Sequence, residues 1–168
     1  DKLVTGVQTC ALPICPKDNT IFEFKGKRFT KEDEILTYAT RGMEEYRGFP
    51  EFMKTVEQLQ KIRPNMQVII GGEDRVCYGC HLKNDTFKQK MLRELDLDLS
   101  RIHFVGNLPY AEYIKLLQVS RCHVYLTYPF VLSWSLLEAM SVGCCIVASD
   151  TAPVKELIQD SFNGILTD

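Results

Sequence analysis

The stretch YLTYPFVLSWSLLEAMSVGCCIVASD, Tyr125 to Asp150, decides the fold. It reads as a buried strand, a loop, a helix, a glycine stop and a second buried strand. A strand, a crossover helix and a strand in succession make a βαβ unit, whose strands must be parallel and whose crossover is right-handed. Open parallel sheets take ligands in the crevice at the carboxyl ends of their strands. The helix start in this stretch, Ser133, Trp134 and Ser135, falls at that edge, and Glu138 lies in its first turns. The stretch is therefore either an anion-binding edge or merely a well-capped helix.

Outward from it, the same alternation recurs about five times. Ile35 to Ala39 reads as a strand and Thr40 to Gly48 as a loop. Phe52, Met53, Val56, Leu59 and Ile62 have the spacing of an amphipathic helix that starts at Gly48-Phe49-Pro50 and ends near Arg63. Met66 to Gly72 is a strand, Glu73 to Asp85 a polar loop and Thr86 to Leu95 a helix. Ile102 to Val105 is a strand, Pro109 to Ser120 a helix and His123 to Leu126 a strand. Cys145 to Ser149, a short helix over Pro153 to Gln159 and a strand-like Gly164-Ile165-Leu166 close the chain. Each strand run is apolar throughout rather than alternating, which predicts a parallel sheet covered by helices on both faces. The fold class expected is α/β, a doubly wound, Rossmann-like parallel sheet over residues 35–168. Residues 15–34 are polar and read as a linker or part of an inter-domain segment, with a short hairpin suggested around Lys25-Gly26-Lys27.

Of 168 residues, 45% are hydrophobic and 25% charged, which suits one globular domain. A net charge of −2 gives no basic excess for a nucleic-acid backbone or an anionic membrane. No apolar run approaches the ~20 residues of a transmembrane helix. Asp1 to Ile14 has too little charge and no cleavage site for a signal peptide; it resembles a translated sequencing adapter and is set apart as an artefactual tail. The chain is accordingly expected to be part of a longer protein, cut at both ends. Seven cysteines, an odd count with several in apolar strand runs, fit reduced thiols and a cytoplasmic location.

Three constellations could carry chemistry. Cys77-Tyr78-Gly79-Cys80-His81 is a literal C-x-x-C-H, the haem-attachment pattern, but no export signal accompanies it and a zinc site needs two further ligands. Chance cysteines in a variable loop account for it better. Arg41 and Arg47 bracket the loop after the first strand, placed either to grip a pyrophosphate bidentately or to pair with Glu44 and Glu45. The helix at Ser133 presents its amides and dipole to an anion, while Ser135-Leu136-Leu137-Glu138 also matches the S-x-x-E capping box, in which Glu138 bonds back to its own helix start.

Three ordered segments make the sequence recognisable. SWSLLEAMSVGCCIVASDTAPVKELI, Ser133 to Ile158, resembles the nucleotide-sugar signature of family-4, GT-B-fold glycosyltransferases. YATRGMEEYRGFPEFM, Tyr38 to Met53, resembles their phosphate-binding segment, and FVGNLPYAEYIKLLQVSRCHVYLT, Phe104 to Thr127, their base-binding loop and helix. The resemblance implies the carboxyl-terminal half of a GT-B enzyme that moves a sugar, with retention, from a nucleoside diphosphate sugar to an acceptor hydroxyl. By position, Arg41 and Arg47 would bind the donor diphosphate, Arg47 standing where the family usually has lysine. Glu138 would match the second glutamate of the E-x7-E motif and hold the ribose hydroxyls. The amides of Ser133, Trp134, Ser135 and Leu136 would complete the phosphate site, and Gly106, Asn107 and Leu108 would lie against the base. Phe130 stands where the motif's first glutamate would touch the transferred sugar. No metal or other cofactor is implied. The partners are the nucleotide sugar, an acceptor and an amino-terminal GT-B domain. A non-catalytic nucleotide-binding or interaction module of the same fold is the alternative, and Phe130 favours it. A nicotinamide site is set aside because no G-x-G-x-x-G follows a strand.

Overall fold

Strands that are apolar at consecutive positions have a side chain to bury on each face of a sheet. The computed structural model, which describes residues 19–129 and 132–167, contains such a sheet. Its strands are β3 (Ile35–Gly42), β4 (Gln67–Glu73), β5 (Ile102–Gly106), β6 (Cys122–Tyr125), β7 (Ile146–Ser149) and β8 (Ile165–Thr167). They lie in the order β5-β4-β3-β6-β7-β8, and every neighbouring pair is parallel. The chain steps outward from β3 to β5, then returns to the other side of β3 as β6, so Leu36 pairs with both Val68 and Cys122. That reversal is a topological switch point, where a crevice opens between strand ends.

Helices cover both faces. On one, Leu36, Tyr38, Val68 and Ile70 pack against Phe49, Phe52, Met53 and Val56 of α1 (Phe49–Ile62) and Phe87 and Met91 of α2 (Phe87–Glu94). On the other, Ile35 and Ile69 meet Leu116 and Val119 of α3 (Tyr110–Val119). Farther along that face, Leu117 joins Leu136 and Ala139 of α4 (Trp134–Ser141), Ile146 and Ala148 of β7, and Val154 of α5 (Ala152–Lys155). The doubly wound expectation holds.

Three boundaries differ from the sequence reading. The described part of the supposed linker, 19–34, is built into the domain. β1 (Phe22–Phe24) and β2 (Lys27–Phe29) form an antiparallel hairpin that turns at Lys25 and Gly26, both at positive φ. Its Phe22 and Phe29 enter the core beside Ile35 and Leu116, so they are structural anchors that a polar average conceals. Strand β3 does not stop at Ala39: an irregularity between Ala39 and Gly42 lets it pair with β4 as far as Glu73, which places Arg41 on a strand end instead of a loop. The last helix is shorter than Pro153 to Gln159, ending at Lys155.

A polar seam crosses the core between β3 and β6. Thr37 Oγ1 lies 2.7 Å from Ser120 Oγ and 2.9 Å from His123 Nδ1. His123 Nε2 is buried with no partner among the described residues, and burial pushes the imidazole pKa down to about 4. Burial likewise pushes the Cys122 and Cys144 thiols up to about 12, in keeping with cysteine used as a small hydrophobe, whereas Cys145 is exposed. Among the described residues no helix is long and apolar enough to cross a membrane.

Candidate functional site

A cleft of about 370 Å³ opens at the carboxyl ends of β3, β4, β5 and β6, over the switch point. It is lined by Arg41, Arg47, Gly106, Asn107, Leu108, Ser133, Trp134, Ser135 and Glu138, so nine of the residues singled out in the sequence share one surface. Leu136 does not line it. Its side chain is fully buried under α4, and its amide donates to the Ser133 carbonyl at 3.2 Å. Phe130 lies outside the described residues. The cleft floor is backbone: Gly72, at φ +118°, comes so close to β3 that a Cβ there would lie 1.8 Å from the Thr40 carbonyl oxygen.

The two arginines reach the cleft from different supports. Arg47 ends a single 3₁₀ turn, Glu45–Arg47, and is followed by Gly48 at φ +62°. A Cβ on Gly48 would lie 2.5 Å from Leu126 Cβ, so glycine is required both for the turn and for the approach to β6. The buried Tyr38 hydroxyl donates to the Arg47 carbonyl at 2.7 Å and fixes its backbone. Arg47 Nη1 donates to Thr127 Oγ1 at 3.1 Å, and the guanidinium stands 5.3 Å from the Tyr78 ring centre. Arg41, at the end of β3, lines the cleft with Tyr78, whose side chain pushes the guanidinium pKa further up.

Glu44 does not spend its carboxylate on these arginines. It is fully buried, and its Oε2 accepts from the amides of Cys77 at 3.0 Å and of Tyr78 and Gly79 at 2.9 Å. Three successive N–H groups on one oxygen form an anion nest. The C-x-x-C-H loop is thus held by its backbone. Its Cys77 and Cys80 are free thiols, and among the described residues no group of three His, Cys, Asp or Glu side chains is placed to hold a metal ion.

Helix α4 brings Glu138 in. Ser133 is its N-cap residue but makes no side-chain cap; its hydroxyl bonds Ser135 Oγ instead. With the cap at Ser133, Glu138 sits two residues beyond the position from which a capping box closes, so that expectation fails for geometric reasons. Glu138 faces the cleft instead. Partial burial pushes its carboxyl pKa up, while the Tyr110 and Tyr113 hydroxyls pull it back. The Tyr113 hydroxyl is itself buried without a partner of normal geometry among the described residues, and burial, then the Glu138 charge, pushes its pKa up. The Ser133 amide is taken by the Tyr125 hydroxyl at 3.2 Å. That leaves Trp134 and Ser135 to present helix-start amides, the groups a helix cannot satisfy internally. Asn107 Nδ2 donates to Glu73 Oε1 across the cleft wall.

Sequence reasoning missed Tyr38, Tyr78, Tyr113 and Thr127. Tyr78 stands in a loop read for its cysteines, and Tyr38, Tyr113 and Thr127 fall inside the recognised segments, which assign them no role of their own.

The model of the family Glycosyl transferases group 1 matches residues 19–168. The chain belongs to this family. No curated protein matches the sequence. Among solved structures, the C-terminal domain of the glycosyl transferase group 1 family protein LpcC from Francisella tularensis superposes with a TM-score of 0.71 at 18% identity, covering 94% of this chain and 78% of that one. Anabaena Alr3699/HepE in complex with UDP-glucose gives 0.66 at 20% identity, over 81% of this chain and 35% of that one. Sucrose-phosphate synthase from Thermosynechococcus elongatus gives 0.61 at 18%, over 81% and 32%. This group 1 chain therefore has the architecture of a GT-B carboxyl-terminal domain, and it spans about a third of the length of Alr3699/HepE.

Proposed function

We propose that this chain is the donor-binding half of a retaining, family-4 glycosyltransferase, which moves a sugar from a nucleoside diphosphate sugar to an acceptor hydroxyl. The observation that carries the reading is the convergence of Arg41, Arg47, Glu138 and the start of α4 in one cleft at the switch point. Breaking a glycosyl–phosphate bond builds negative charge on the departing diphosphate. Fixed positive groups stabilise that charge most when they are in place beforehand. Two guanidiniums and the amides of Trp134 and Ser135 supply it here, without a metal in the scheme. Glu138 is placed to accept from ribose hydroxyls, and Gly106 to Leu108 to lie along the base. The UDP-glucose complex of Alr3699/HepE makes a uridine nucleotide the first ligand to try. On this reading the acceptor side belongs to an amino-terminal GT-B domain.

The test is thermal melting with UDP, GDP or ADP at millimolar concentration. A ligand present at 100 times its Kd adds about 2.7 kcal/mol to stability, and Arg41→Ala or Arg47→Ala removes that gain. The absence of a shift with all three would sink the reading. The second reading, a non-catalytic nucleotide-binding module, rests on Phe130 in place of the first glutamate of E-x7-E. Donor hydrolysis by a longer protein containing the acceptor side separates the two.

A further inference from the structure

The loop after β4 is anchored more firmly than a simple connection requires. A fully buried carboxylate, that of Glu44, is committed to three successive amides in it, those of Cys77, Tyr78 and Gly79. Burying a charge is tolerated only where hydrogen bonds compensate it. The same loop is seated against both segments that carry the cleft arginines. A Cβ on Gly42, next to Arg41, would lie 2.6 Å from the Arg75 carbonyl oxygen and 2.8 Å from Cys77 Sγ. A Cβ on Gly79 would lie 3.0 Å from Tyr46 Cδ2, next to Arg47. Between these two contacts the Tyr78 side chain enters the cleft that Arg41 also lines, with its ring 5.3 Å from the Arg47 guanidinium.

We propose that Tyr78, held through Glu44, is a positioning residue that sets the separation of the Arg41 and Arg47 guanidiniums for the two phosphates of a nucleoside diphosphate. The inference rests on the donor-site reading above. Its physical basis is preorganisation. Arginine side chains have many rotamers, and two like charges facing an open cleft spread apart unless something holds them. A ring fixed from behind holds one by its π face and borders the other across the cleft wall, so part of the ordering cost is met before the ligand arrives. Two phosphates gain from a set spacing; one phosphate, which needs only a nearby positive charge, gains little.

Titration calorimetry of UDP and UMP with the unmodified chain, Tyr78→Ala, Tyr78→Phe and Glu44→Gln tests this. In Tyr78→Ala, UDP should bind roughly fivefold more weakly or worse, while UMP changes less than about twofold. Tyr78→Phe, which keeps the ring over Arg47, should recover part of the loss, and Glu44→Gln should weaken UDP in the same selective way. Tyr78 is 43% exposed, so its variants should fold even if removing the Glu44 charge proves disruptive. Unchanged UDP binding in Tyr78→Ala, or equal losses of UDP and UMP, would overturn the inference while Arg47→Ala still abolished binding and left the donor site standing. If the unmodified chain binds none of UDP, GDP and ADP, the donor-site reading falls and takes the inference with it.

Discussion

Acidification from pH 7 to 4.5 should destabilise this fold by an amount that one side chain largely sets. His123 is wholly buried beside β3; its Nδ1 is engaged by Thr37 Oγ1 and its Nε2 has no partner among the described residues. Its pKa falls from an ordinary 6.5 to about 4, because burial penalises the imidazolium. Between those values the unfolded chain takes up a proton that the folded chain refuses, so stability falls as the pH falls and levels off below about 4. At about 1.4 kcal/mol per pH unit the complete effect is about 3 kcal/mol, a sizeable share of the ~5–15 kcal/mol that holds a typical domain together. His103 adds in the same direction, its pKa lowered by burial and by Lys27 and Lys25. Asp98, held at about 2 by hydrogen bonds from Ser100 and Arg101, matters only at lower pH. His123→Leu isolates the contribution, since Thr37 Oγ1 keeps its 2.7 Å bond to Ser120. Urea unfolding of both proteins at pH 7, 5.5 and 4.5 should show the variant losing much less stability over that range. Parallel profiles would refute the reasoning.

Gly72→Ala should cost more than about 3 kcal/mol or prevent folding, because a side chain at φ +118° would strike the Thr40 carbonyl; a melting curve or soluble yield decides it. Phe22→Ala, at a position 1% exposed, should cost about 3–5 kcal/mol by denaturant titration; a loss below ~1 kcal/mol would mean that the hairpin is only an attached linker after all. Glu138→Gln should move function and stability in opposite directions. Burial raises the folded carboxyl pKa, so ionisation weakens the fold as pH rises through that value, and the neutral amide should raise the melting temperature at pH 7. The same variant should bind UDP roughly tenfold more weakly, as expected for hydrogen bonds lost from a charged acceptor.

The sheet was legible because Ile35, Leu36, Val68, Ile69 and Ile70 are apolar in succession, a pattern that only a strand buried on both faces needs. The cleft was legible in outline because chain order around a switch point dictates which loops meet, whatever their side chains do. What the sequence concealed depends on contacts between distant residues. The Glu44 carboxylate reaches amides 33 to 35 residues away, a partnership with no local signature beside the nearer Arg41 and Arg47. Strand β3 runs past Ala39 because an irregular pairing carries polar residues along the strand, where hydropathy alone signals an end. The capping box at Ser135 failed by two residues, since the spacing is local but the choice of Ser133 as cap is not.

The order of the strands also bears on how the molecule is made. Strand β3 gains its switch-side neighbour only when β6 has been synthesised, and the contact of Thr37 with His123 spans 86 residues. Closing so long a loop is entropically costly, and parallel pairings of this span form slowly. Until then one edge of β3 lacks its neighbour, and Arg41 and Arg47 have no opposite wall. A nucleoside diphosphate that needs both walls should therefore act on the exit from the native state: it should slow unfolding and leave the folding rate nearly untouched. The switch point that builds the cleft also makes the cleft one of the last features the chain acquires.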